Sequence, residues 1–263
     1  MSNMQRYFID FSYDGTHYHG WQIQPNGISV QEVLEQALST LLRQAMSVTG
    51  AGRTDAGVHA RKMTAHFDFE NPINTKQLIY KLNRLLPHDV SVANVYPVDG
   101  ELHARFSATS RTYHYYLHCA KNPFLRKYSY QLHYNLDFKA MNQAAQYLLG
   151  EKDFKCFCKA GADVRTTICT VTFAKWCETT SPIGAADVCK DGNWCFIITA
   201  NRFLRNMVRA IVGTLIDVGR GRLSISEFKR IVDMGERGDA GDSVPGNALF
   251  LWDVTYPTSN INE

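Results

Sequence analysis

Gly50-Ala51-Gly52-Arg53-Thr54-Asp55-Ala56-Gly57-Val58-His59-Ala60 leads into Met63-Thr64-Ala65-His66-Phe67-Asp68-Phe69-Glu70, a glycine-bounded loop followed by alternating apolar and polar residues. Gly52 and Gly57 have the spacing of a phosphate-binding loop. Val58 and His59, however, stand where that loop needs a lysine and a hydroxyl residue, so the nucleotide-binding reading fails. The residues after the loop have the two-residue period of a half-buried strand. A loop from Ala51 to Arg61 is therefore pinned ahead of a strand.

Working outward, Arg6 to Tyr13 reads as a strand, with Tyr7, Ile9, Phe11 and Tyr13 on one face and Asp10 and Ser12 on the other. Asp14 and Gly15 end it. Val30, Val33, Leu34, Ala37, Leu38, Leu41 and Leu42 follow a helical period behind Ser29, with Glu32 three residues on as a capping box. A second helix over about 76–86 stops at Pro87, and extended segments follow at 90–96 and 111–118. The spacing predicts a third helix over 138–149 ending at Gly150, and strands over 170–177 and 194–199. Phe203, Leu204, Met207, Val208, Ile211, Val212, Leu215 and Ile216 predict a long apolar helix capped by Asn201 and stopped by Gly219. A short helix opens at Ser224 with Glu227 at the capping-box position, and a last strand covers 250–256. This order lacks the regular strand–helix alternation of a doubly wound parallel sheet, so an α+β fold around a mixed sheet is expected.

The chain has 263 residues, of which 45% are hydrophobic, enough for a full core. No apolar run reaches the roughly 20 residues that span a bilayer, and Met1 to Phe11 alternates instead of forming a signal core, so a cytoplasmic protein is expected. The seven cysteines form no CxxC pair; Cys156-x-Cys158 is the nearest approach to a metal knuckle, and reduced thiols with no metal are expected. Lysine and arginine total 28 against 25 acids, a net charge of +3 that decides nothing alone. Arg202, Arg205, Arg209, Arg220 and Arg222 cluster beside a single acid, Asp217, a stretch suited to facing phosphates.

Asp55 has two readings. A carboxylate in a glycine-rich turn often serves only its own backbone. Without an obvious base or metal partner it is also a candidate for direct nucleophilic attack. Asp14 has no fixed relation to Asp55, so a glycosidase pair, and with it a hydrolase of small glycosides, is not established.

The segment Gly52-Arg53-Thr54-Asp55-Ala56-Gly57-Val58-His59-Ala60 resembles the catalytic signature of the TruA family of transfer-RNA pseudouridine synthases. Tyr13-Asp14-Gly15-Thr16 with Gly20-Trp21-Gln22, Leu86-Pro87 with Asp89-Val90, and His103-Ala104-Arg105-Phe106-Ser107-Ala108 with Arg111-Thr112-Tyr113 are similar to further blocks of that family. So are Phe203-Leu204 with Met207-Val208-Arg209, and Ile211-Val212-Gly213. The resemblance covers nearly the whole chain. Two places depart from it: Ala248 stands where the family commonly has glycine, and Thr179 to Asp191 is unlike the family's pattern.

The resemblance implies a pseudouridine-synthase-like, mainly antiparallel sheet flanked by helices, with two ferredoxin-like halves, 1–108 and 109–263, sharing one continuous sheet. It implies isomerisation of uridine to pseudouridine at positions 38 to 40 of the anticodon stem-loop, by base flipping, in a homodimer and without a cofactor. Asp55 is then the nucleophile, attacking the ring or the ribose, Tyr113 stacks on the target base, and Arg209 partners the carboxylate. Arg53 is a candidate phosphate grip. Aromatic strands and arginines would equally serve a noncatalytic RNA-binding protein, the alternative reading.

Overall fold

A computed structural model describes residues 4–161, 164–179 and 192–257. Most of the family-divergent segment, 180–191, lies outside the described residues. In chain order the elements are β1 Gln5–Tyr13, α1 Val30–Leu42, β2 Thr49–Gly50, β3 His59–Phe69, α2 Thr75–Leu85, β4 Val90–Val98, β5 Ser110–His118, β6 Tyr130–Gln131, α3 Phe138–Ala145, β7 Gly150–Asp153, β8 Ile168–Glu178, β9 Asn193–Ala200, α4 Met207–Gly219, α5 Ile225–Met234 and β10 Leu249–Thr255. The fold is α+β with mainly antiparallel pairing. The chain forms two compact units, residues 1–110 with 251–263, and residues 111–250. No helix of the described residues is long and apolar enough to cross a membrane.

In the first unit the strands run in the order β4-β1-β3-β2, all neighbours antiparallel, with Ile9 opposite both Ala65 and Val95. This is a β-α-β-β-α-β arrangement. Helix α1 starts where Ser29 accepts a hydrogen bond from Glu32 N, and α2 where Asn74 accepts from Gln77 N; these side chains satisfy amides that the first turn leaves without partners. Leu34, Leu38, Leu78 and Leu82 of the two helices are buried with Ile9, Phe11 and Met63 of the strands. Each such side chain contributes roughly 1.5 to 3 kcal/mol relative to exposure.

The polar face expected on β1 and β3 is only partly open to solvent: Asp10, Ser12 and Asp68 are half-buried, and Phe8 and His66 are buried where Leu102, Ala104 and Tyr256 pack over them. Arg6 fastens this cover, pairing with Asp68 at 2.8 Å and donating to Leu102 O at 3.0 Å. His66 Nδ1 accepts from Ala104 N at 3.1 Å. Burial, reinforced by the nearby Arg6 and His103, pushes the His66 imidazole down to about 4. An unfolded histidine titrates near 6.5, so the folded state holds His66 neutral across that interval. The stability this contributes is fully present above pH 6.5 and is lost as pH falls towards 4, on the order of 3 kcal/mol in all. Urea midpoints measured between pH 7 and 4 should fall less steeply in His66→Asn than in the unaltered protein.

In the second unit the order is β5-β9-β8-β7, antiparallel, with Tyr113 opposite Ile198; β6 pairs parallel to β5. Asn142 of α3 donates to Trp176 O and accepts from Trp176 N, covering the part of β8 that runs beyond β7. Helix α5 carries the expected capping box between Ser224 and Glu227. Cys156 and Cys158 are buried thiols, and burial pushes Cys156 up to about 12.

Two helix boundaries differ from the sequence reading. Helix α3 ends at Ala145, gives way to a 3-10 turn over Gln146–Leu148, and Gly150, at φ +91°, begins a strand. Helix α4 begins only at Met207, because Asn206 sits at φ +68°, a left-handed conformation that cannot continue a helix upstream. Asn201 is not its cap; its side chain instead accepts from Thr170 N at 2.9 Å.

Candidate active site

In the first unit, Asp55 sits on a tight turn between β2 and β3. Val58 N donates to Asp55 O at 3.2 Å, and Gly57 takes φ +75°, which favours glycine. The carboxylate residue itself is half-buried, while its neighbours alternate: Thr54 is buried and Arg53 exposed. Thr54 therefore anchors the turn inwards, and Arg53 stands at the surface.

Residues 13–21 hold this turn from behind. Tyr13 at the end of β1 shares a hydrogen bond with the Thr54 hydroxyl at 2.8 Å, both groups buried. Trp21 N donates to Thr54 O at 3.2 Å and Gly57 N to Tyr18 O at 3.3 Å. The backbone of Gly15 lies so close to the turn that a Cβ there would stand 2.1 Å from Val58 O. Gly15 N donates to the buried His59 Nδ1 at 3.0 Å, and an Asp14 carboxylate oxygen lies at the same distance from that nitrogen. The Trp21 ring packs on Gly50 at the other end of the loop, where a Cβ would come within 2.6 Å of it.

The turn before Asp55 thus inherits its geometry from a strand more than thirty residues earlier. Tyr13→Phe removes one hydroxyl from a buried pair and is expected to cost about 1 kcal/mol of unfolding free energy, read as a lower urea midpoint with an unchanged slope.

In the second unit, Tyr113 and Tyr115 occupy one face of β5. The half-buried Tyr113 ring meets Phe203 edge-on, centroids 5.0 Å apart. Sequence periodicity had placed Phe203 within the apolar helix; the structure puts it ahead of α4, where it packs on Tyr113. Tyr115 is fully buried, donates to Pro245 O at 3.1 Å, and feels the positive charge of Arg209. Arg209 on α4 is half-buried, and its Nε donates to Val244 O at 2.7 Å while Val244 N donates to Arg209 O at 3.3 Å. The 242–244 segment can approach because Gly213 has no side chain: a Cβ there would lie 1.8 Å from Asp242 O. Arg209 is thus aimed by a backbone carbonyl, not left on a solvated face.

Of the other arginines in that cluster, Arg205 and Arg222 are exposed, whereas the Arg220 guanidinium lies 4.0 Å over the Tyr134 ring. Sequence reasoning missed three contributors to these arrangements: the Tyr13–Thr54 pair, Phe203 as an aromatic neighbour, and the Val244–Pro245 backbone. The one available signal for the first was the Tyr13-Asp14-Gly15-Thr16 block, whose glycine is the residue a second backbone needs for close approach.

Comparison with known proteins gives a family. The model of a family described as tRNA pseudouridine synthase matches residues 11–107 and 144–257. The first matched stretch contains Arg53 and Asp55 and the second Arg209, while Tyr113 falls between the two. The protein named tRNA pseudouridine synthase A from Bacteroides fragilis is 54% identical over 256 residues, covering 97% of this chain and 98% of that one. Its counterpart of the same name from Bacteroides thetaiotaomicron is 53% identical over 260 residues, with 99% and 94% covered. The one from Bacillus subtilis is 39% identical over 249 residues, covering 93% and 96%.

Proposed function

Since the chain belongs to the tRNA pseudouridine synthase family, we propose that it converts uridine to pseudouridine in transfer RNA, at positions 38 to 40 of the anticodon stem-loop, with Asp55 as the attacking group. The observation that carries the assignment to Asp55 is the clamped turn: a half-buried residue on a turn that backbone bonds and the Tyr13–Thr54 pair hold in place presents its carboxylate for attack at a defined position.

The reaction breaks the bond between uracil N1 and ribose C1′, turns the base, and forms a bond from C5 to the same carbon. The C5 proton leaves and N1 regains one, so atoms balance with no external reactant. Asp55 attacks either the pyrimidine or the ribose carbon, and must be ionised to do so. A base inside a stem has to leave the stack first, at a cost of a few kcal/mol. Stacking on one aromatic ring returns about 1 to 3 kcal/mol, the part proposed for Tyr113, with Phe203 holding the ring on edge.

Arg209 is the proposed charge partner of the carboxylate during the reaction, and its guanidinium is anchored to Val244 O. Arg53, exposed beside the turn, takes a phosphate. A homodimer acting in the cytoplasm completes the proposal. The test is to incubate the pure protein with unmodified transfer RNA, adding nothing else, and to map pseudouridine by position. Product confined to positions 38 to 40 supports the assignment. Modification elsewhere, or none, overturns it.

A further inference from the structure

We infer that the turn from Leu102 to Ser107 is a platform for one unpaired base of the RNA substrate, with the Phe106 ring stacking on the base and Arg105 meeting an adjacent phosphate. This rests on the family reading that RNA is the substrate and is independent of the role of Asp55.

Phe106 is 75% exposed, which by itself is ordinary for a single apolar side chain; what sets it apart is the way it is displayed. The turn that displays it is tightly held. Arg105 N and Phe106 N both donate to His103 Nδ1, at 3.1 and 3.3 Å, and His103 and Ser107 exchange two further hydrogen bonds. From below, Ala104 N donates to His66 and Ala104 O accepts from the Tyr256 hydroxyl at 2.6 Å.

The rings continue the same column. His66 and His103 have centroids 4.7 Å apart, and His103 and Phe106 4.4 Å apart at 35°. The Arg105 guanidinium lies 5.6 Å over the Phe106 ring. Burial and the charge of Arg6 push both histidines below their ordinary value, so at neutral pH the column is an uncharged aromatic ladder rising from the core to an exposed phenyl face.

An aromatic ring already fixed in position binds a partner without the cost of ordering it. Stacking accepts any base, since every base has a π-face, and an adjacent guanidinium supplies a phosphate contact that is blind to sequence. Only one large apolar residue crowns the turn, flanked by exposed Arg105 and half-buried Ser107 and Ala108. That is enough for a single base. A surface that joins two protein chains buries a broader apolar centre.

Fluorescence anisotropy with unmodified transfer RNA, run beside steady-state kinetics, tests the platform with Phe106→Ala and Phe106→Trp. The alanine variant should bind about tenfold more weakly, with the loss appearing in Kd and KM and not in kcat, while the tryptophan variant keeps its affinity. The thermal midpoint should not move, because the ring is exposed. Unaltered affinity in Phe106→Ala, or equal losses in both variants, would overturn the inference. So would a change of oligomeric state in Phe106→Ala by sedimentation, which would assign the ring to a second copy of the chain. A protein that binds transfer RNA through Phe106 yet forms no pseudouridine would uphold the platform and overturn the catalytic reading.

Discussion

Asp55→Asn is expected to reduce pseudouridine formation by at least about three orders of magnitude while transfer RNA still binds. The exchange replaces a carboxylate oxygen by an amide of the same shape, which removes the charge and the nucleophile together. It leaves the turn intact, because the bond that closes the turn, from Val58 N to Asp55 O, is made by backbone, and because Thr54 and Gly57 are anchored to Tyr13 and Tyr18 independently of the Asp55 side chain. Single-turnover assays on unmodified transfer RNA separate this loss from any loss of binding. Asp55→Ala, tested alongside, should be equally inactive; product at the unaltered rate from either variant would remove Asp55 from the mechanism.

Gly213→Ala is expected to show the largest effect on stability. The added methyl would stand 1.8 Å from Asp242 O, well inside contact distance, and neither partner can yield cheaply. Helix α4 is buried on nearly every side, leaving only Arg209 and Asp217 partly exposed, and Asp242 belongs to the strap that continues to Val244 and Pro245. Overpacking of this kind costs about 3 kcal/mol or more, which for a chain of this size lowers the thermal midpoint by roughly 6 to 12 °C. Displacing the strap also frees Arg209 from Val244, so turnover should fall in this variant at temperatures where it remains folded. A midpoint within about 1 °C of the parent would show that the strap moves freely, against the tight approach seen here.

Much of this architecture is legible in the chain because its causes are local. The period of Val30 to Leu42 and the cap at Ser29 lie within a few residues of one another, as do Ser224 and Glu227, and the structure places helices there. The same local logic misplaced the start of α4. Phe203 and Leu204 fit the helical period, yet Asn206 turns left-handed, and Phe203 is used against a strand ninety residues earlier in the chain. The alternation along β1 and β3 was correct as a strand signal but could not reveal that Leu102, Ala104 and Tyr256 would cover part of the polar face, over Phe8 and His66.

The candidate residues divide in the same way. The motif from Gly52 to Ala60 identifies Asp55 by resemblance, and Gly213 could be recognised from its lack of a side chain as a point of close approach. By itself the sequence determined the helices and the longer strands, the caps at Ser29 and Ser224, the glycines and the family. Only tertiary structure decided that Tyr13 holds Thr54, that Val244 aims Arg209, and that Asp242 is what approaches Gly213. The physical reason is range: periods and caps are set by neighbours along the chain, whereas these contacts join residues about thirty to forty positions apart and exist only once strand register and helix packing have brought the backbones together.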